Sequence, residues 1–155
     1  MIQPFQKKMI ASMPKAENHI HIEGSIPLYL ALELAEKNHV KLPCDTAQGL
    51  RQWIKDTKGT YGLNGFMYCN RKINSVCIHE EDYEAVVMEL AKQAKVQNII
   101  YQELFLDYPL NEERGIPIEV VMDGYITAKK RAIDELGVEL VYIAGLDRTL
   151  PSEQC

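Results

Sequence analysis

The chain has 155 residues, 46% of them hydrophobic and 25% charged, with a formal net charge of −5. That length suits one domain of the usual ~100–200 residues, and the balance excludes disordered and low-complexity architectures. The acidic charge argues against nucleic acid, whose phosphates demand clustered Lys and Arg, and no apolar run approaches the roughly 18 residues needed to span a bilayer.

Residues 1–13 form a short N-terminal extension, in which Lys7 and Lys8 interrupt any signal-peptide apolar core. The expected location is therefore cytoplasmic. "AENHIHI" alternates as a strand does and is stopped by the breaker "EGSIP". Pro27 then opens a helix with an apolar stripe at Leu28, Ala31, Leu32 and Ala35. Residues 40–97 read as a long helical insertion: one helix from Thr46 to the breaker "TKGTYG", a second over "LNGFMYCNRKINSVC", and a third whose first turn carries Glu80, Glu81 and Asp82. "NIIYQELFLDYP" is a buried strand closed by Pro109, and "LNEERG" a loop. A helix follows with a stripe at Val120, Val121, Gly124, Ile126, Ala128, Ala132 and Ile133, an expected Lys130–Asp134 ion pair and Gly137 as its cap. The strand "VELVYIAGL" comes next, and Ser152, Glu153 and Gln154 after Pro151 look like the opening of another helix. Strands alternating with helices argue for an α/β fold with a parallel sheet in a single domain over residues 1–155.

The strand of "AENHIHI" carries the chemistry. A strand's period of two puts His19 and His21 on one side and Ile20 and Ile22 on the other, so two imidazoles can converge on one divalent ion such as Zn²⁺. Alone, an HxH is a weak motif and more often an ordinary polar strand end, because a catalytic zinc takes about three protein ligands. Glu23 continues the parity past the strand, and Gly24 and Ser25 permit a tight turn beside a ligand. His39 and His79 have no companion at a metal-binding spacing and read as exposed polar positions. Cys44, Cys69, Cys77 and Cys155 lack CxxC spacing and read as free thiols. Trp53 reads as packing.

The phrase "MPKAENHIHIEGSIP" resembles the opening of the adenosine deaminase family, the zinc-dependent purine deaminases of the metal-dependent hydrolase superfamily. It keeps Pro14, Lys15, His19, His21, Glu23, Gly24 and Ser25 in order. The similarity runs on through "GFMYCNRKINSV", like the family's helical flap, "YQELFLDYP" at the second strand and "VYIAGLDRTLPSE" at the third. The resemblance implies the N-terminal part of a (β/α)8 TIM barrel, with about three parallel strands and residues 40–97 as the flap region. It implies Zn²⁺ as cofactor with His19 and His21 as ligands, Glu23 contacting substrate, Gly24 beside it, and Leu63, Phe66 and Leu146 in the base pocket. Ser25 and Asp107 join that substrate-binding set.

The reaction so implied is hydrolytic deamination of adenosine to inosine and ammonia by a zinc-activated water. Deamination of adenine to hypoxanthine is the alternative. Members acting on the nucleoside often carry Asp at the position of Glu23 and Arg at that of Phe105, whereas Glu23, Phe105, Asp107 and "ERGIP" lean towards the free base. Asp107 is followed by Tyr108 before Pro109, one residue more than either pattern.

The family's remaining zinc ligands and its catalytic Glu lie on later strands, so no catalytic residue is expected within this chain. Two imidazoles would hold zinc weakly, and the isolated chain is expected to be inactive. An open third strand invites self-association. A catalytically inert half-barrel serving as an interaction module, and another metal hydrolase acting on amides or esters, remain as alternatives.

Overall fold

The computed structural model describes residues 3–145. Leu146, the expected helix opening at Ser152 to Gln154, and Cys155 lie outside the described residues. Helix α1 spans Pro4–Ser12, a segment in which the sequence offered no element; Pro4 stands in its first turn and the Gln6 side chain accepts the Gln3 N–H at 2.8 Å. None of its residues is buried.

Strand β1 (Lys15–His21) is followed by α2 (Leu28–Lys37), α3 (Ala47–Asn74) and α4 (Glu80–Val96). Strand β2 (Ile99–Leu106) leads through a short helix α5 (Pro109–Glu112) to α6 (Ile118–Arg131), a π-helical turn over Ala132–Leu136, and strand β3 (Glu139–Ala144). The three strands pair in the order β1-β2-β3, all parallel. Each crossover carries helices, as a parallel sheet requires. This is a partial (β/α) barrel of three strands, in agreement with the α/β expectation.

The core lies between one sheet face and the helices. Leu104, Val138 and Leu140 meet Ala31, Val87, Ala91, Val121, Tyr125 and Ala128 there, all buried. Burying a side chain such as Leu104 contributes about 1.5–3 kcal/mol. Gly124 brings α6 against α4: a Cβ at this position would lie 2.4 Å from the Glu80 carbonyl oxygen.

Several sequence expectations shift at this level. The buried stripe of α2 is Leu30, Ala31, Leu34 and Ala35, one step round from the expected face. In α6 Tyr125 is buried while Ile126 and Ile133 are exposed. The breaker at "TKGTYG" divides two helical segments of α3, as expected. They meet at a kink where only its last residue, Gly62, leaves helical geometry, at φ 57° and ψ −130°. That backbone lies outside what a residue with a Cβ adopts easily, so the kink falls where the side chain is missing. Gly137 caps the π-helical turn at φ 67°, as expected. Arg131 rather than Lys130 makes the ion pair of α6: its guanidinium meets Glu135 at 2.6 Å and Glu84 at 2.5 Å, whereas Lys130 and Asp134 form no pair.

Candidate active site at the end of β1

Strand β1 is not a regular strand. Glu17 pairs with Gln102 and Ile20 with Leu104, so Asn18 and His19 together face the single residue Glu103. This is a β-bulge, and its extra residue, His19, takes φ 66°. The bulge switches the phase of the strand. Glu17, Ile20 and Ile22 lie on the core side, where the Gln102 amide donates to Glu17 Oε2 at 2.8 Å. His19 and His21 turn to the opposite face. Their ring centroids are 5.3 Å apart, and Phe105 of β2 lies against both, at 4.4 Å from His19 and 5.2 Å from His21.

The backbone between β1 and α2 then turns at Glu23–Ser25, with the Ser25 N–H donating to the Ile22 carbonyl at 3.0 Å. Glu23 points inward and is 1% exposed. Its Oε2 accepts the Asp107 backbone N–H at 3.1 Å and its Oε1 accepts the Tyr125 hydroxyl at 3.2 Å. Burial pushes the Glu23 carboxyl up to about 7; backbone N–H groups pull against it, and the Asp107 carboxylate adds a smaller push. Asp107 ends β2 and bonds His21: Nδ1 and Oδ2 are 2.6 Å apart.

These residues border an open cavity of about 1010 Å³. His19, His21, Glu23, Gly24, Ser25, Phe66 and Asp107 all line it, so seven of the sequence-selected positions meet at one place. Leu63 is not among the lining residues and is 73% exposed. The cavity also takes in Asn70 and Arg71 of α3 and Glu113 after α5, positions that no motif marks out. Arg71 and Glu113 join the flap to the β2–α6 connection at 3.3 Å. Asn70 could be found only from the fold, because its amide sits 3.1 Å from where a Gly24 Cβ would stand. A second long-range tie is buried. Arg114 donates to the carbonyls of Asn74, Ser75 and Cys77 at the end of α3, and Asn111 Oδ1 accepts from Asn74, Tyr83 and Arg114.

No group of three or more His, Cys, Asp or Glu side chains able to hold a metal occurs among the described residues. His39 and His79 are exposed and stand apart, as expected. Cys44, Cys69 and Cys77 are free, and Trp53 packs against Tyr68 with ring centroids 6.0 Å apart. No helix among the described residues is long and apolar enough to cross a membrane.

Comparison with known proteins gives consistent findings. A family profile described as adenosine deaminase matches residues 14–155. The adenine deaminase of Zymomonas mobilis is 36% identical over 149 residues, covering 94% of this chain and 42% of that protein. The adenine deaminase of Geotalea uraniireducens is 36% identical over 145 residues, covering 94% of this chain and 40% of that one. Among solved structures, adenine deaminase from Arthrobacter aurescens superposes with a TM-score of 0.77 at 27% identity, over 84% of this chain and 39% of its own. An amidohydrolase from Burkhoderia ambifaria with bound Zn shares the fold, with a TM-score of 0.79 at 17% identity over 99% of this chain and 41% of its own. The chain thus spans about two-fifths of the length of the relatives it matches.

Proposed function

Because the chain belongs to the adenosine deaminase family, we propose that it supplies the N-terminal part of a zinc-dependent adenine deaminase. His19 and His21 are two of the metal ligands in this reading. The donor set fits: two imidazoles share one face at the C-terminal end of a parallel strand, where barrel enzymes place their chemistry, and imidazole suits a borderline divalent ion. Zn²⁺, when bound, supplies Lewis-acid activation of water for attack on the ring carbon that bears the amino group.

The residues of this chain do the holding and positioning. Phe105 lies against both rings and limits how they can turn. The Glu23 carboxyl borders the cavity, where a purine edge can exchange hydrogen bonds with it. Phe66 of α3 offers an apolar surface to the base. The further ligands and the general acid come from outside this chain.

The observation that carries the choice of the free base is Phe105. An apolar ring, tilted against His19 and stacked on His21, stands where nucleoside-acting members of the family often carry Arg, so that position offers no cation. The adenine deaminases of Zymomonas mobilis and Geotalea uraniireducens support the same reading by their similarity.

The test is a fusion of this chain to the remaining three-fifths of the Zymomonas mobilis relative, assayed for ammonia release from adenine and adenosine. Zinc-dependent turnover favouring adenine is expected. His19→Ala or His21→Ala should lower it by more than about 100-fold, since even outer-sphere partners of metal ligands are worth about 10–100-fold. A preference for adenosine would overturn the substrate assignment, and turnover unaffected by either substitution would overturn the ligand assignment.

A further inference from the structure

We infer that Asp107 is a positioning residue that fixes the His21 imidazole in one tautomer, with the proton on Nδ1 and the Nε2 lone pair presented to the metal face. The inference deepens the reading of His21 as a ligand and rests on it. An ionised carboxylate can only accept, so a 2.6 Å contact between Asp107 Oδ2 and His21 Nδ1 requires the proton to sit on Nδ1. The other ring nitrogen is then an acceptor free to ligate.

Asp107 is held in place at both its backbone and its side chain. Its backbone N–H is anchored on Glu23 Oε2, and Glu23 in turn is held by Tyr125 from α6. Tyr142 of β3 fixes α6 there by donating its hydroxyl proton to the Tyr125 carbonyl at 2.6 Å. The carboxylate has room only because residue 145 is glycine: a Cβ there would stand 2.8 Å from Asp107 Oδ1 and 2.9 Å from the Leu106 carbonyl oxygen. Oδ2 is taken by His21 and Oδ1 faces the Gly145 backbone, which directs the carboxylate to the ligand rather than to a purine.

Long-range proton–nitrogen NMR on the 155-residue chain, at a pH where imidazole is neutral and with neither metal nor substrate added, reads the tautomer directly. His21 is expected as Nδ1–H, with His19 as the internal reference. Asp107→Ala removes the carboxylate but keeps the backbone N–H to Glu23, and should return His21 to the Nε2–H form favoured by free imidazole. Gly145→Ala, which crowds the carboxylate from another strand, should shift the same resonance in the same direction. Titration with zinc chloride, followed at the His21 Nε2 signal, should then give about 10–100-fold weaker zinc affinity in Asp107→Ala than in the native chain. Nε2–H in the native chain, or a tautomer unchanged by Asp107→Ala, overturns the assignment. Because the tautomer is read without turnover, its failure is distinct from failure of the deaminase reading.

Discussion

His19 holds a left-handed backbone in the middle of a strand, a conformation that costs an ordinary residue of order 1 kcal/mol or more. The bulge it creates separates Glu17 from the histidine pair, because an unbroken period of two would have put Glu17 and His19 on one face. Glycine normally destabilises a strand by roughly 0.5–1 kcal/mol relative to alanine. At position 19 that order is expected to reverse, with His19→Gly at least as stable as His19→Ala in urea unfolding. A His19→Ala protein clearly more stable than His19→Gly would show that the left-handed backbone is not imposed by the fold. The meeting of His19 and His21 was legible from spacing alone, since the two-residue period survives between them. The bulge was not, because histidine tolerates left-handed backbone without announcing it. Nor was the bond to Asp107, 86 positions away, which depends on strand register.

The best-defined helix start is that of α4. Asp82 has no exposed surface, and its carboxylate accepts four hydrogen bonds: Lys37 Nζ at 2.6 Å, Asn38 Nδ2 at 2.7 Å, and the backbone N–H groups of Ile78 and His79 at 2.9 Å. Burial raises its pKa, but the Lys37 ammonium and the N–H donors outweigh burial and hold the group below the usual carboxylate range. A depressed folded pKa contributes stability above the unfolded value of about 3.9, and that stability is lost as pH falls below it through the folded value. Asp82→Asn should therefore cost about 2 kcal/mol at neutral pH, shrinking below about pH 4, as read from urea midpoints across pH. A difference independent of pH would contradict it. The sequence flagged the acidic first turn as a dipole effect, but the links to α2 needed the fold. Element identity was otherwise legible where periodicity was long, in α4 and α6. It held at "TKGTYG", where Gly62 breaks the helical run, and failed at "LNEERG", where a single helical turn from Pro109 runs into the expected loop.

At the scale of the molecule, a sheet of three parallel strands is covered by helices on one face, while the face bearing His19, His21 and Phe105 remains open. Among the described residues β1 and β3 each pair only with β2, so their outer edges present free hydrogen-bonding groups. Sedimentation velocity is expected to show a weight-average mass that rises with protein concentration; a monomer unchanged across a hundredfold range would count against it. The parallel sheet was legible from alternation of elements, since parallel strands require crossovers.

Arg114 has a consequence for the order in which the chain can be built. Helix α3 ends at Asn74, and the carbonyls of Asn74, Ser75 and Cys77, at and just beyond that end, accept from a guanidinium almost forty positions further along. As a ribosome adds residues from the N-terminus, the turn that follows α3 therefore emerges before the side chain that ties it down. That turn meets its guanidinium only once residue 114 has followed it out, so the junction of α3 and α4 is made before β2 but fastened after it.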